Sequence, residues 1–329
     1  MRSQYAGRMR AIQVKKTGGP EVLELVEIAR PEPKAGEVLV RIAASGVNFI
    51  DTYFREGRYP AELPFVPGQE AAGVVEKLGE GVTGFAVGDH VAWNGTRGTY
   101  AEYACAQAKD LLHVPAGMDL EDAAAVLLQG MTAHYLVYDT YRVQRGDAVL
   151  VHAGAGGVGL LITQMLKMIG ARVITTVSTE EKAELSRGAG ADDVILYTKE
   201  SFAEAVKRMV PEGLPVVYDS VGKTTFEDSL KCLRPRGLMA LYGGSSGAVP
   251  PFDLIRLSVM GSLYVTRPTL KDYVQTRAEL ERRAGDVFGW VAEGKLTVRI
   301  GQRYSLDQAQ QAHLDLQGRK TTGKVLIVP

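Results

Sequence analysis

The sequence predicts an α/β protein in which a doubly wound parallel sheet is joined to a second, β-rich domain. Three observations predict it. From residue 147 onward apolar strand patterns alternate with helical ones, the rhythm of a parallel sheet covered on both faces. Before that, from Met9 to about Leu128, short alternating apolar runs are broken by glycine and proline, as in a barrel or sandwich of short strands. Finally, 329 residues that are 46% hydrophobic and 23% charged suffice for two ordinary domains with a large core.

The elements follow in order. Residues Met1–Arg8 read as an extension. Glu37-Val-Leu-Val-Arg-Ile-Ala43 and the run Ala71 to Lys77 alternate as strands. Turn signals at Pro31-Glu-Pro33, Lys34-Ala-Gly36, Pro67-Gly68 and Val87-Gly-Asp89 recur too closely for long helices. A helix is expected over Asp119 to Tyr138, with the domain boundary near Gln129. Strand Asp147 to His152 leads through a glycine cluster into a helix in which Val158, Leu161, Ile162, Met165, Leu166 and Ile169 recur at helical spacing. Strand Arg172 to Val177 follows. Helix–strand units are then expected at Glu181 to Arg187 with Asp193 to Tyr197, Phe202 to Met209 with Pro215 to Asp219, and Thr225 to Cys232 with Leu238 to Tyr242. Gly261 to Val265 supplies a sixth strand. A long helical pattern runs from about Lys271 through Val291, and the final strands, ending in Lys324-Val-Leu-Ile-Val328, suit the first domain. The expected domains are 1–128 with 271–329, and 129–270.

The 37 glycines exceed the average usage of about 7%, and their most informative cluster follows strand 147–152. Gly154-Ala-Gly156-Gly157-Val158-Gly159 sits in the strand–loop–helix context in which G-x-G-x-x-G binds a dinucleotide. Gly154 permits the tight turn, Gly156 lets the backbone approach a pyrophosphate, and Gly159 lets the helix lie close on the strand. Amides at the helix N-terminus then face the phosphate. NAD-binding proteins place an acidic residue about 20 positions on, where it binds the ribose 2′-hydroxyl. Ser178 holds that position here, in Thr175-Thr-Val-Ser-Thr179. A small neutral residue leaves room for a 2′-phosphate, and Lys182, one helical turn later, supplies a point charge for it. NADPH is the expected cofactor. A solvated Lys182 and an inward turn of Glu180 or Glu181 are the opposing reading.

Thirty-eight basic residues balance 38 acidic ones, so no global field draws the chain to nucleic acid or to an anionic membrane. Cys105 and Cys232 stand far apart, which argues against a disulfide framework and for a reducing compartment. His90, His113, His134, His152 and His313 show no H-E-x-x-H or paired spacing, so no metal is expected. His152 reads as a core residue rather than a catalyst. No apolar run reaches the ~18 residues of a membrane span and no signal-peptide pattern opens the chain, so a cytoplasmic location is expected. No G-x-S-x-G elbow supports hydrolysis. Hydride transfer requires none of these groups, because the cofactor carries the chemistry.

Seven segments then carry a resemblance: Gly18-Gly-Pro-Glu-Val-Leu23, Gly46-Val-Asn-Phe-Ile-Asp-Thr-Tyr53, Pro67-Gly-Gln-Glu-Ala-Ala-Gly73, His152-Ala-Gly-Ala-Gly-Gly-Val-Gly159, Val217-Tyr-Asp-Ser-Val-Gly222, Gly244-Ser-Ser-Gly247 and Gly261-Ser-Leu-Tyr-Val-Thr-Arg-Pro268. The chain resembles the zinc-free quinone oxidoreductases, the ζ-crystallin-like branch of the medium-chain dehydrogenase/reductase superfamily. The resemblance implies a GroES-like barrel built from both chain ends, a Rossmann domain between them, and a nicotinamide in the cleft. Zinc members carry a cysteine where this chain has Asn48 and a histidine where it has Gln69. Gly154 stands where other members often have alanine, and Gln129 where a lysine can occur.

The resemblance places Asn48 and Tyr53 in the nicotinamide pocket, with Tyr53 as the best candidate acid, and Thr132 near the cofactor. It gives the pyrophosphate to Gly156, Gly157 and Val158, and the 2′-phosphate to Ser178, Lys182, Tyr197 and Arg319. Ser220 and Val221 flank the adenine side, and Tyr242, Ser245 and the segment Val265–Arg267 meet the cofactor from the sheet ends. Read without it, Asn48 fits a helix cap, Tyr53 a loop aromatic and Tyr197 the end of a strand. The implied activity is NADPH-dependent reduction of quinones without metal. Reduction of activated C=C bonds in enones or enoyl thioesters is the alternative, and a structural or RNA-binding protein is the alternative of another class. A homodimer through the Rossmann sheet edge is implied as well.

Overall fold

The computed structural model describes residues 7–329. Strands β1 (Arg8–Gln13) and β2 (Glu24–Ala29) pair antiparallel, from Arg8 opposite Ala29 to Gln13 opposite Glu24. Most of the expected N-terminal extension lies outside the described residues, and Arg8 itself belongs to β1. Strand β3 (Glu37–Val47) runs into helix α1 (Phe49–Arg55), and strands β4 (Glu70–Leu78), β5 (His90–Asn94), β6 (Tyr103–Gln107) and β7 (Leu112–His113) follow. Helix α2 (Leu120–Tyr135) closes this stretch, and its final turn widens over Leu136–Thr140. β3 is long enough to serve several partners: β4 along most of its length, β6 from Glu37 to Arg41, and the last strand of the chain from Ser45 to Val47.

The middle of the chain alternates as its pattern predicts. Strand β8 (Ala148–His152), helix α3 (Gly157–Ile169), strand β9 (Arg172–Val177), helix α4 (Glu180–Gly188), strand β10 (Asp193–Leu196) and helix α5 (Phe202–Met209) come first. Strand β11 (Leu214–Asp219), helix α6 (Phe226–Lys231), strand β12 (Leu233–Leu241), helix α7 (Ile255–Val259) and strand β13 (Tyr264–Thr266) complete it. The six strands are all parallel, in the order β10-β9-β8-β11-β12-β13. Leu150, Ile174, Val217 and Met239, from four central strands, are fully or almost fully buried together with Phe202, Phe226 and Leu230 from the helices. The strand expected from Gly261 begins only at Tyr264, because Gly261 (φ 112°) and Ser262 (φ 57°) are left-handed and cannot extend a strand.

Helix α8 (Arg277–Ala292), strand β14 (Ile300–Ser305), helix α9 (Ala309–Gln317) and strand β15 (Lys324–Val328) end the chain. The helix expected from Lys271 starts later because Thr276 caps it: the Thr276 hydroxyl accepts from the Glu279 amide, and the Glu279 carboxylate accepts from the Thr276 amide. Strand β15 lies parallel to β14 and antiparallel to β3, with Val325 opposite Val47, so the chain's end completes its beginning. Two units result, 1–128 with 276–329, and 129–275.

Candidate functional site

In the first unit a polar cluster forms where β3 gives way to α1. Asn48 stands at the helix N-cap, and its amide N–H donates to Asp51 Oδ2 at 2.9 Å. Its carboxamide is engaged elsewhere. Nδ2 donates to Glu70 Oε2 at 2.8 Å, and Oδ1 accepts from Lys324 Nζ at 2.8 Å. Lys324 also donates to Glu70 Oε2 at 2.5 Å, while Glu70 Oε1 accepts from the Leu128 amide at 2.7 Å. All three side chains are buried. A buried ion pair is tolerated when its remaining valences are filled, and Asn48 and the Leu128 amide fill them here. Gly46 makes room for the cluster, since a Cβ there would lie 2.2 Å from Glu70 Oε2 and 2.8 Å from Lys324 Cε.

Asp51 opens a second buried chain of hydrogen bonds. Its Oδ2 also accepts from the Tyr100 hydroxyl at 3.1 Å, so that hydroxyl must accept from His313 Nε2, 3.1 Å away. The tautomer is thereby fixed: Nδ1 of His313 accepts from Arg55 at 3.0 Å. Arg55 is spent on His313, the Gly18 carbonyl, Glu56 and Gln317. Burial raises the Asp51 carboxyl to about 7, against hydrogen bonds that favour its charge. Burial, helped by the Arg55 charge, lowers His313 to about 3, so it stays neutral. Tyr53, on α1, packs edge-on against Tyr59 at 5.6 Å, with the Arg58 guanidinium 5.3 Å from its ring centroid.

In the second unit most of the predicted cofactor residues lie in the segments that follow the carboxyl ends of the strands. The glycine loop joins β8 to α3, next to the point where strand order reverses between β8 and β11, the usual place for a ligand in such sheets. The left-handed residue of its turn is Ala153 (φ 54°), not Gly154. Gly154 has a different role, set by its neighbours in this chain: a Cβ would lie 2.6 Å from Thr175 Cβ and 2.8 Å from Ser186 Oγ, so it lets the loop press on β9 and α4. Gly159 serves as expected, since a Cβ would meet the Ala153 carbonyl at 2.2 Å. Gly156 is the N-cap of α3, and a Cβ on Gly157 would strike the Gln129 carboxamide. Val158 lies in the first turn of α3. Thr132 is on α2 and largely buried.

Ser178 follows β9, and Tyr197 follows the adjacent β10, with the Tyr197 amide donating to the Val177 carbonyl at 3.2 Å. Lys182 lies in the first turns of α4, capped by Thr179. These three therefore share one corner of the sheet. Arg319 belongs to the first unit, beyond α9, in left-handed conformation (φ 57°). Ser220 and Val221 follow β11, where Asp219 Oδ1 accepts from the amides of Val221 and Gly222 and so fixes the turn. The strand-end loops interlock: the Tyr242 amide donates to the Asp219 carbonyl, and the Ser245 amide to the Ser220 carbonyl. Burial raises the Tyr242 phenol. Arg267 donates to the Leu241 carbonyl at 3.1 Å, and Val265 is part of β13. His152 is buried, bonded through its two nitrogens to Thr176 and Ser229, which matches a core role.

Sequence reading passed over Glu70, Lys324, Asp51, Tyr100 and Arg55, and treated Gln69 only as the replacement for a metal ligand. Lys324 carried a signal, a lysine opening an otherwise apolar strand. The others became legible only when the fold joined residues 49 to 258 positions apart.

The comparisons agree with this arrangement. The family pattern for the alcohol dehydrogenase GroES-like domain matches residues 34–116, and that for zinc-binding dehydrogenases matches residues 157–279. The chain is 47% identical over 321 residues to a quinone oxidoreductase of Pseudomonas aeruginosa, covering 97% of this chain and 99% of that protein. It is 42% identical over 330 residues to a 2-haloacrylate reductase of Burkholderia, covering 97% and 98%. A mycobacterial protein solved in complex with NADPH is 50% identical, with a TM-score of 0.95 over 98% of this chain and 100% of that one. Glycine loop, fold and full-length identity converge, and the chain belongs to the enzymes of the zinc-free quinone oxidoreductase branch of the medium-chain dehydrogenase/reductase superfamily.

Proposed function

We propose that the protein is an NADPH-dependent reductase of quinones that works without a metal. The observation that carries this reading is the corner formed by the glycine loop, Ser178, Lys182 and Tyr197. It offers helix amides for a pyrophosphate and, where NAD-binding chains have a carboxylate, a neutral hydroxyl beside a lysine. NADPH, when bound, supplies the hydride. Gly156, Gly157 and Val158 hold the pyrophosphate in this reading. Ser178, Lys182 and Tyr197 surround the 2′-phosphate, with Arg319 assigned beside them on resemblance. The strand-end loops around Ser220, Val221, Tyr242 and Ser245, with Val265 and Arg267, orient the rest of the cofactor, as does Thr132. Asn48 and Tyr53 belong to the substrate side, which makes 1–128 with the C-terminal segment the catalytic domain and the middle of the chain the cofactor domain. Catalysis is then chiefly orientation and exclusion of water.

The quinone oxidoreductase of Pseudomonas aeruginosa supports the substrate class. The 2-haloacrylate reductase relative favours a second reading, reduction of an activated C=C bond. NADPH oxidation with a panel of benzoquinones, naphthoquinones and enones separates them. Quinone turnover supports the first reading, and enone turnover without quinone turnover supports the second. NADPH binding with turnover of neither class ends both.

We also propose a homodimer formed through β13. Among the described residues β13 pairs on one side only, and Tyr264 within it and Leu254, Ile255 and Val259 in the segment leading to it are 61–82% exposed. An open strand edge rimmed by apolar side chains suits a second copy of the same strand. A cytoplasmic setting fits the two free thiols, Cys105 and Cys232. Among the described residues no helix is long and apolar enough to cross a membrane.

A further inference from the structure

We propose that Asp219, Ser229 and His152 are positioning residues for NADPH, joining two cofactor-binding loops through one buried, hydrogen-bonded belt. The belt crosses the carboxyl ends of three adjacent strands, β9, β8 and β11. Thr176 is the next-to-last residue of β9, His152 the last of β8 and Asp219 the last of β11. The segments that follow carry Ser178, the glycine loop, and Ser220 with Val221. Ser229, on α6, is the joint between His152 and Asp219. All four belt residues are at most 2% exposed.

Each bond has a defined direction. The Asp219 carboxylate only accepts, so its Oδ2 receives the hydroxyls of Ser229 at 3.0 Å and Thr225 at 2.7 Å. With its proton spent, Ser229 Oγ must accept from His152 Nε2, 2.9 Å away. Burial pushes the imidazole pKa below its ordinary value, against the pull of Asp219 at 3.9 Å, and a neutral ring carries a single N–H. Nδ1 therefore accepts from the Thr176 hydroxyl at 2.8 Å. Both ends of the belt grip backbone. The Thr176 carbonyl accepts from the Gly154 amide at 3.1 Å, and Asp219 Oδ1 accepts from the amides of Val221 at 2.7 Å and Gly222 at 3.0 Å.

The backbone ladder shows what the belt is needed for. Between β8 and β9 it extends to His152 opposite Thr176, but between β8 and β11 it stops at Val151 opposite Tyr218. His152 and Asp219 lie one residue beyond that point, where strand order reverses and side chains alone join the two ends. An asparagine could fix the turn after β11 without a buried charge. Four converging donors require the acceptors of a carboxylate. The inference rests on the NADPH reading above and deepens it: the two loops hold one cofactor only while their spacing is fixed.

The test uses the full-length protein, with NADPH affinity read by fluorescence titration and stability by urea unfolding without cofactor. Ser229→Ala cuts the belt and leaves the His152 N–H buried without an acceptor. It should lower the urea midpoint and weaken NADPH binding about tenfold, the scale of one hydrogen bond. Ser229→Ala combined with His152→Phe removes both partners, so most of the stability should return while NADPH affinity stays about tenfold down. That split separates positioning from a merely structural role. Thr176→Val breaks the belt at β9, should also weaken NADPH about tenfold, and carries the test should the other variants fail to fold. Native-like NADPH affinity in the variants overturns the proposal, as does affinity that returns with stability in the double variant, or a native protein that does not bind NADPH. A native protein that binds NADPH about tenfold better than the variants, yet turns over no quinone or enone, supports the belt and removes the reductase reading instead.

Discussion

Lys324 and Asp51 are the residues on which the first unit's polar interior depends. Replacing Lys324 by Met leaves the Glu70 carboxylate buried without its cation, a change that usually costs about 3–5 kcal/mol. Urea unfolding should register that loss, and Lys324→Met combined with Glu70→Gln should recover a large part of it. Equal stability of native and single variant would show that the pair is not held as described. Asp51 yields a pH dependence with a definite sign. Its folded-state value, about 7, lies above the ordinary value of 3.8. Its contribution is thus fully present below pH 4 and is lost as pH rises through 7. At about 1.4 kcal/mol per unit, Asp51→Asn should gain a few kcal/mol relative to native between pH 4 and pH 8. A stability difference that stays flat over that range contradicts the assignment. His313 runs the other way: lowered from 6.5 to about 3, it contributes above pH 6.5 and ceases to as pH falls towards 3. None of this was readable from the residues alone. Asp51 and Arg55 share α1, but Tyr100 and His313 come from two distant stretches, and only the packing of these segments in one unit makes them a chain.

At the scale of elements, the strand–loop–helix unit at β8–α3 was legible because its signals are local. Apolar strand, glycine cluster and helical spacing all lie within about 25 residues. What spacing could not assign was the duty of each glycine, because close approach is a property of two segments. The distinction is testable. Gly159→Ala puts a Cβ 2.2 Å from a backbone carbonyl, which cannot yield, so α3 must shift away from the loop. NADPH affinity should fall at least tenfold, as read by fluorescence titration. Gly157→Ala meets only the Gln129 side chain, which can swing aside, and should change affinity by less than threefold. Comparable effects of the two substitutions contradict the placement of α3. The strand ends at β13 and the start of α8 were misjudged for related reasons. Left-handed backbone at Gly261 and Ser262 and the cap at Thr276 override apolar patterns that continue through them.

For the whole molecule, the pairing of β15 with β3 unites the chain's two ends, an outcome that the isolated apolar run Lys324–Val328 suggested without showing its partner. The second whole-molecule feature is the open edge at β13. Val259→Arg, at a position 82% exposed, should convert a dimer to a monomer in sedimentation velocity at micromolar concentration and leave NADPH binding in place. A native protein that sediments as a monomer removes the dimer reading. The central claim, NADPH-dependent quinone reduction without metal, is tested most directly by one assay. NADPH and NADH oxidation are followed with 1,4-naphthoquinone, with and without excess chelator. The account predicts quinone turnover unaffected by chelator and kcat/KM for NADPH at least tenfold above that for NADH. Turnover abolished by chelator, equal use of the two cofactors, or absent quinone reduction by protein that binds NADPH would contradict it.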